Sequence, residues 1–327
     1  MSLLKQDIME PVRAGMAESD RILREELFVD DSADIARLMD HMSQFSGKRL
    51  RPALVHLCGG LVGGRNYELA TIGAMLEALH MATLLHDDVL DGAEKRRKVP
   101  TLNAEHGNLL PILLGDLIYA RTFDLSLRLP TLDAAFQLSH MTQAVCRGEI
   151  EQGFFRFDGG QPDEERYFRI IRGKTGQMFR TACELGVKYA GGTESQARTM
   201  AEWGLDVGTA FQIIDDCLDV VGDEKVAGKS LGTDLETGKV TLPVIRLARG
   251  LDDTRREELR KLLCGEVEGS RRELLRTEFA LEEAVVECHE EANIYLRKCI
   301  ASLDSFSPGP ERQSLLDMCT FILERSY

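Results

Sequence analysis

Apolar residues recur at helical spacing through most of the 327 residues. In residues 66–91, Leu69, Ile72, Leu76 and Leu79 follow the three-and-four spacing of one helix face, and the run closes in HDDVLDG. Similar patterns over 109–127, 132–157, 164–190, 194–221 and 240–249 predict further helices. No alternating run between turn residues predicts a strand. Gly and Pro gather between the helical stretches, at Gly59-Gly60, Gly63-Gly64, Gly159-Gly160, Gly191-Gly192 and Ser307-Pro308-Gly309-Pro310. No low-complexity linker divides the chain. The pattern predicts an all-α protein of one domain, 1–327, with its motif-bearing core at about 45–245.

Composition narrows the class. Hydrophobic content of 43% with 29% charged residues is the balance of a folded globular chain. A net charge of −14 argues against a nucleic-acid partner and against broad attraction to anionic lipid. The eight cysteines form no C-x-x-C pair, and most fall in apolar helical runs. That spacing predicts buried free thiols, neither a disulfide framework nor a zinc site, and a cytoplasmic location. The first residues, MSLLKQDIMEPVRAGM, lack the apolar core of a signal peptide. No run of 18 apolar residues occurs, so no transmembrane segment is expected.

Two acidic clusters carry the chemistry. Asp87-Asp88-Val89-Leu90-Asp91 follows MATLLH, and Asp215-Asp216-Cys217-Leu218-Asp219 follows AFQII. Each is a D-D-x-x-D at the C-terminal end of a predicted helix. Residues i and i+4 share a helix face, so Asp87 can share a cation with Asp91, and Asp215 with Asp219. Acids there face the negative end of the helix dipole and repel one another. One such cluster reads as a solvated helix end. Two, each behind an apolar wall and each followed by basic residues, favour a hard divalent cation that bridges carboxylates to phosphate oxygens. Basic residues bracket both clusters: Lys48, Arg49 and Arg51; Lys95 to Lys98; Lys174 in RGKTGQ; and Lys229 and Lys239. RGKTG lacks the full G-x-x-x-x-G-K-[ST] pattern and follows no strand, so a nucleotide-binding loop is not indicated.

In this order, GKRLRP, LLHDDVLD, GAEKRR, LLGDLIYARTF, GEIEQ, GKTGQMF, FQIIDDCLDVVGD and GKSLGTDLETGKVTLP resemble the motifs of the trans-isoprenyl diphosphate synthases, the polyprenyl synthetase family. The resemblance implies an all-α bundle around a central cavity, the isoprenoid synthase type I fold, usually as a homodimer. It implies condensation of isopentenyl diphosphate with an allylic diphosphate. Asp87, Asp88, Asp91, Asp215 and Asp219 would bind three Mg²⁺, with Mn²⁺ as a substitute and Asp216 in support. Arg96, Lys174, Lys229 and Lys239 would hold the allylic diphosphate, with Thr175 and Gln212 beside the reacting carbons. Lys48, Arg51, His80 and Arg97 would hold isopentenyl diphosphate. Lys98-Val99 where the family commonly has one Gly, and Ser230 for a common Pro, are departures that remove no ligand. His86 adjoins the first cluster without being assigned a contact.

The helix before the first cluster also bears on product length. Ala70, Ala74, Ala78 and Ala82 recur every four residues below Asp87, with Thr83 beside them. The stripe reads either as a tail pocket or as close helix packing. In the resembling family, bulky aromatics just before the first motif stop growth early, and HMATLLHDD holds none. With one turn of about 5.4 Å per isoprene unit, the expected product exceeds twenty carbons, about eight units. A shorter-chain synthase, a class I terpene cyclase and a non-catalytic synthase subunit are the alternatives. The second D-D-x-x-D speaks against the cyclase, and both complete clusters speak against the subunit.

Overall fold

The helix that ends in the first acidic cluster is apolar on nearly every side, so it must be enclosed by other elements. The computed structural model, which describes residues 8–44, 49–96, 99–222 and 231–324, shows how. In chain order the helices are α1 Arg13–Ile22, α2 Ala33–Ser43, α3 Leu50–Leu61, α4 Tyr67–Leu90, α5 Leu102–His106, α6 Leu109–Ser126, α7 Asp133–Phe154, α8 Glu164–Ile171, α9 Gln177–Tyr189, α10 Glu194–Val221, α11 Thr233–Glu236, α12 Leu242–Arg249, α13 Asp253–Leu263, α14 Arg271–Glu278, α15 Leu281–Ser302 and α16 Pro310–Glu324. Single π-turns extend α1 over Leu23–Leu27 and α8 over Arg172–Gly176. The only strands among the described residues are β1 Lys95–Arg96 and β2 Val99–Pro100, paired antiparallel. The all-α expectation holds.

The chain forms two compact units of interleaved segments. One takes Met1–Met141, Met178–Gly204 and Leu303–Asp317, and the other takes Thr142–Gln177, Leu205–Ser302 and Met318–Tyr327.

In the first unit α4 is the axis, packed by α1, α3 and α6. The Asn66 side chain starts it by accepting the Leu69 N–H at 3.1 Å. By length and composition α4 could cross a membrane, with a mean hydropathy of 1.3 over an 18-residue window, but 78% of that window is buried in the structure. α6 reaches α4 closely because of Gly115: a Cβ there would stand 2.3 Å from His86 Nε2. In the second unit α12 packs on α15 and α8. Arg246 of α12 joins them by ion pairs to Glu164 at 2.7 Å and Glu291 at 3.2 Å. No disulfide joins any of the eight cysteines, and six are buried.

One buried polar contact in the first unit has a measurable signature. His56 of α3 is buried, with Nε2 3.0 Å from Ser19 Oγ of α1. Burial pulls its pKa down to about 4, against a hydrogen bond to the Gly15 backbone. The unfolded chain therefore takes up this proton near pH 6.5, before the folded one does. Stability from this site is complete above that pH and is lost as pH falls towards 4, by about 3 kcal/mol. Denaturation of wild type and His56→Gln across pH 7.5 to 4 should show this extra slope in wild type alone.

Candidate active site

In the first unit, α4 runs through Asp87 and Asp88 to Leu90, with Asp91 as its C-terminal cap. The Asp91 N–H donates to the Asp87 carbonyl at 2.8 Å, so helical spacing persists and the two carboxylates lie one turn apart. Asp87 is half-buried and Asp91 exposed. Asp88 is turned inward and only 2% exposed. Arg96 of β1 grips it, with Nε at 2.9 and 3.1 Å from the two oxygens and a terminal nitrogen at 2.8 Å. Burial raises the Asp88 pKa, and the arginine charge opposes that rise. Asp88 and Arg96 are thus each other's partners.

Arg51 sits in the first turn of α3, its guanidinium carbon 5.5 Å from the Phe179 ring centroid. Its Nε is buried with no hydrogen-bond partner. Burial pulls its pKa down to about 10, and Glu77 opposes the shift, so it stays charged at neutral pH. A charged guanidinium with an unsatisfied N–H is a fit for an anion. The preceding residue, Arg49, takes φ +51 to start α3 and is held by Asp20 at 3.2 Å and Glu77 at 3.1 Å. His80 is half-buried two turns before Asp87. His86 packs over Gly115, with Nε2 3.1 Å from the Ile112 carbonyl.

In the second unit, Asp215, Asp216 and Asp219 lie in the last two turns of α10. Asp215 is half-buried, and the other two are buried. The Tyr167 hydroxyl donates to Asp216 Oδ2 at 2.7 Å and Gln212 Nε2 donates to Oδ1 at 2.7 Å. Burial, with the Asp234 charge next, pushes the Asp216 pKa up to about 8. Asp219 accepts the Gly232 N–H at 3.1 Å and the Asp234 N–H at 3.2 Å, at the start of α11. Lys239 pairs with Asp234 at 3.4 Å. Lys174, in the π-turn, pairs with Glu149 at 2.5 Å and donates to Gln152 at 2.9 Å. Thr175 donates to Gln212 at 2.8 Å.

The structure adds protein partners that the helix-end argument from sequence did not include. Asp88, Asp216 and Asp219 are neutralised or hydrogen-bonded by the protein itself. The C-terminal carbonyls of α10 are also capped: Arg272 Nε donates to the Val220 carbonyl at 2.8 Å, and its terminal nitrogen donates to that of Gly222. Sequence reasoning left Tyr167, Arg272, Glu149 and Gln152 without roles. Only the last two lay in a quoted motif, GEIEQ. Lys48, Arg97 and Lys229 lie outside the described residues. Ala78 and Ala82 are 0% exposed and Ala74 is buried, so the alanine stripe is packed against its neighbours here. Thr83 is half-buried and donates to the His80 carbonyl at 2.8 Å.

Among the described residues, no three His, Cys, Asp or Glu side chains gather into a self-sufficient metal cage. The motifs offer oxygen ligands only. This donor set fits a hard cation that keeps waters and takes its other oxygens from a bound phosphate, and does not fit a structural zinc.

The family model described as Polyprenyl synthetase matches residues 32–277. An octaprenyl diphosphate synthase of Haemophilus influenzae is 31% identical over 300 residues, 90% of this chain and 89% of that protein. An all-trans-nonaprenyl-diphosphate synthase (geranyl-diphosphate specific) of Rhodobacter capsulatus is 32% identical over 329 residues, 98% of each chain. The crystal structure of a polyprenyl synthase from Caulobacter crescentus CB15, complexed with calcium and isoprenyl diphosphate, superposes with a TM-score of 0.89 at 30% identity, covering 98% of each chain.

The Asp88–Arg96 pair makes a direct stability test possible. Arg96→Met leaves a buried carboxylate without its partner. Because Arg96 is itself a quarter exposed, the loss should be about 2 kcal/mol, below the range for fully buried pairs. Chemical denaturation at neutral pH measures it.

Proposed function

The chain belongs to the polyprenyl synthetase family, and on that premise we propose that it condenses isopentenyl diphosphate with an allylic diphosphate, in trans and 1′-4, to make a polyprenyl diphosphate longer than twenty carbons. The observation that carries the reading is the pair of D-D-x-x-D motifs, each keeping a less-buried carboxylate face beside a basic set in its own unit. Asp87 and Asp91 form that face on α4, and Asp215 forms it on α10.

The reaction breaks the allylic C–O bond, with the electron pair leaving on the diphosphate. The isopentenyl double bond attacks the allylic cation, and a proton is lost as the new double bond forms. Magnesium, about three ions when bound, would supply positive charge to the departing diphosphate, with Mn²⁺ as a substitute. Lys174, Lys229 and Lys239 add fixed charge to that diphosphate, and Thr175 and Gln212 stand by the reacting carbons. Lys48, Arg51, His80 and Arg97 hold the isopentenyl diphosphate; the unsatisfied Arg51 Nε is the supporting atom. Arg96, which holds Asp88, would also add its charge to the allylic diphosphate. The leaving diphosphate accepts the proton. The α4 stripe of Ala74, Ala78 and Ala82, with no aromatic in HMATLLHDD, supports a long product. A tail would run along it by parting it from its neighbours.

We also propose a single catalytic domain working as a homodimer in the cytoplasm. Leu109 and Leu113, one turn apart on α6, and Ile150 and Phe154, one turn apart on α7, are each more than half exposed, apolar surface of the kind that subunit contacts cover. Light scattering should give twice the chain mass.

Purified protein with labelled isopentenyl diphosphate and dimethylallyl, geranyl or farnesyl diphosphate should elongate only when Mg²⁺ is present. Products should exceed twenty carbons. Absence of Mg²⁺-dependent elongation with every starter would refute the reading. Ala82→Phe should shorten the products, and an unchanged distribution would remove the stripe from the account of length.

A further inference from the structure

Tyr167 and Thr175 stand eight residues apart, on α8 and on the π-turn that continues it. Gln212 and Asp216 stand one turn apart on α10. The four side chains form one unbroken hydrogen-bonded chain within the second unit. Tyr167 donates to Asp216 at 2.7 Å, Gln212 donates to the other Asp216 oxygen at 2.7 Å, and Thr175 donates to Gln212 at 2.8 Å.

An ordinary α-helix could not supply both hydroxyls. Eight residues turn about 800°, which is about 80° past two full turns, so residues 167 and 175 would diverge. The π-turn takes up one extra residue and leaves about 700°, about 20° short of two turns, so both hydroxyls face α10. The bulge is held against α7: a Cβ on Gly173 would lie 3.0 Å from the Ala144 carbonyl oxygen. Lys174, in the same turn, reaches Glu149 and Gln152 on α7. Tyr167 is fully enclosed, and its hydroxyl has Asp216 as its partner.

We infer that Tyr167 is a positioning residue for the second aspartate motif: its hydroxyl fixes the inward rotation of Asp216 and, through Gln212, keeps Thr175 and Lys174 in register with Asp215. The inference rests on the proposed synthase reading. With both oxygens of Asp216 occupied by donors, that carboxylate stays out of the cation set. Without the hydroxyl, one Asp216 oxygen is stranded in the core and the Gln212–Thr175 link that keeps Lys174 in register with Asp215 loosens.

The test uses Tyr167→Phe in the full-length protein, which keeps the ring and removes only the oxygen. Mn²⁺ binding is followed by electron paramagnetic resonance with farnesyl thiolodiphosphate, a slowly cleaved allylic analogue. Steady-state kinetics are run in Mg²⁺. The Mn²⁺ Kd and the allylic KM should each rise roughly tenfold, the loss expected for one hydrogen bond to a charged group, while the KM for isopentenyl diphosphate is unchanged. Tyr189→Phe, which removes a tyrosine hydroxyl bonded to Thr131 instead, should behave as wild type. Mn²⁺ affinity and allylic KM within about twofold of wild type would overturn the inference. So would a fall in kcat with all three constants unchanged.

If Tyr167→Phe does not fold, the double variant Tyr167→Phe/Asp216→Asn relieves the stranded charge. Its Mn²⁺ affinity should match that of Asp216→Asn alone, because the hydroxyl has no carboxylate left to hold. A further tenfold loss in the double variant would overturn the inference. Wild-type protein that fails to elongate in Mg²⁺ would instead overturn the synthase reading and this inference with it.

Discussion

The enclosure of α4 is the constraint on which the first unit depends. A helix with apolar residues on nearly every side has to be wrapped, and α1, α3 and α6 do this. Where the wrapping ends, the chain needs polar groups, and Asp87 to Asp91 supply them. The first aspartate motif therefore stands where the core stops. Asp88, the acid that remains inside that boundary, is the one given an arginine. Asp87 and Asp91 lie nearer water.

The second unit solves the same problem with neutral donors. Asp216 is also buried in its helix bundle and takes a phenol and an amide rather than a guanidinium. Asp219 takes backbone N–H groups from the start of α11. The two motifs share a sequence pattern but not a supporting structure. One is steadied by an ion pair from a nearby hairpin strand, the other by a hydrogen-bonded chain from a bulged helix. That asymmetry lets the two acidic faces differ in basicity and reach while keeping the same residue spacing.

Much of this was legible in the sequence. The patterns at 66–91, 109–127, 194–221 and 240–249 meet α4, α6, α10 and α12 within about two residues. The pattern at 164–190 covers α8 and α9 but hides the π-turn between them, because periodicity over a long window is insensitive to one inserted residue. The positions of the aspartates were legible; their partners were not. Tyr167 is 49 residues from Asp216, and Arg272 is 52 from Val220, so only folding brings them together. The helix-end argument did not foresee the protein's own partners for Asp88, Asp216 and Asp219 for this reason. The alanine stripe was visible as a pattern, but its close packing depends on what neighbouring helices place against it.

The hydropathy of α4 has a consequence for how the molecule is made. A segment apolar enough to partition into a bilayer is hazardous while it is exposed. Two of its covering helices, α1 and α3, precede it in the chain, and the third, α6, follows within a short stretch. A growing chain can thus shelter α4 on two sides before it is finished and close the third soon after. The order of elements thus keeps short the stretch of chain over which α4 stands uncovered. It also means that damage to α6 would be felt first as a failure to mature in the cell, before any effect on turnover could be seen.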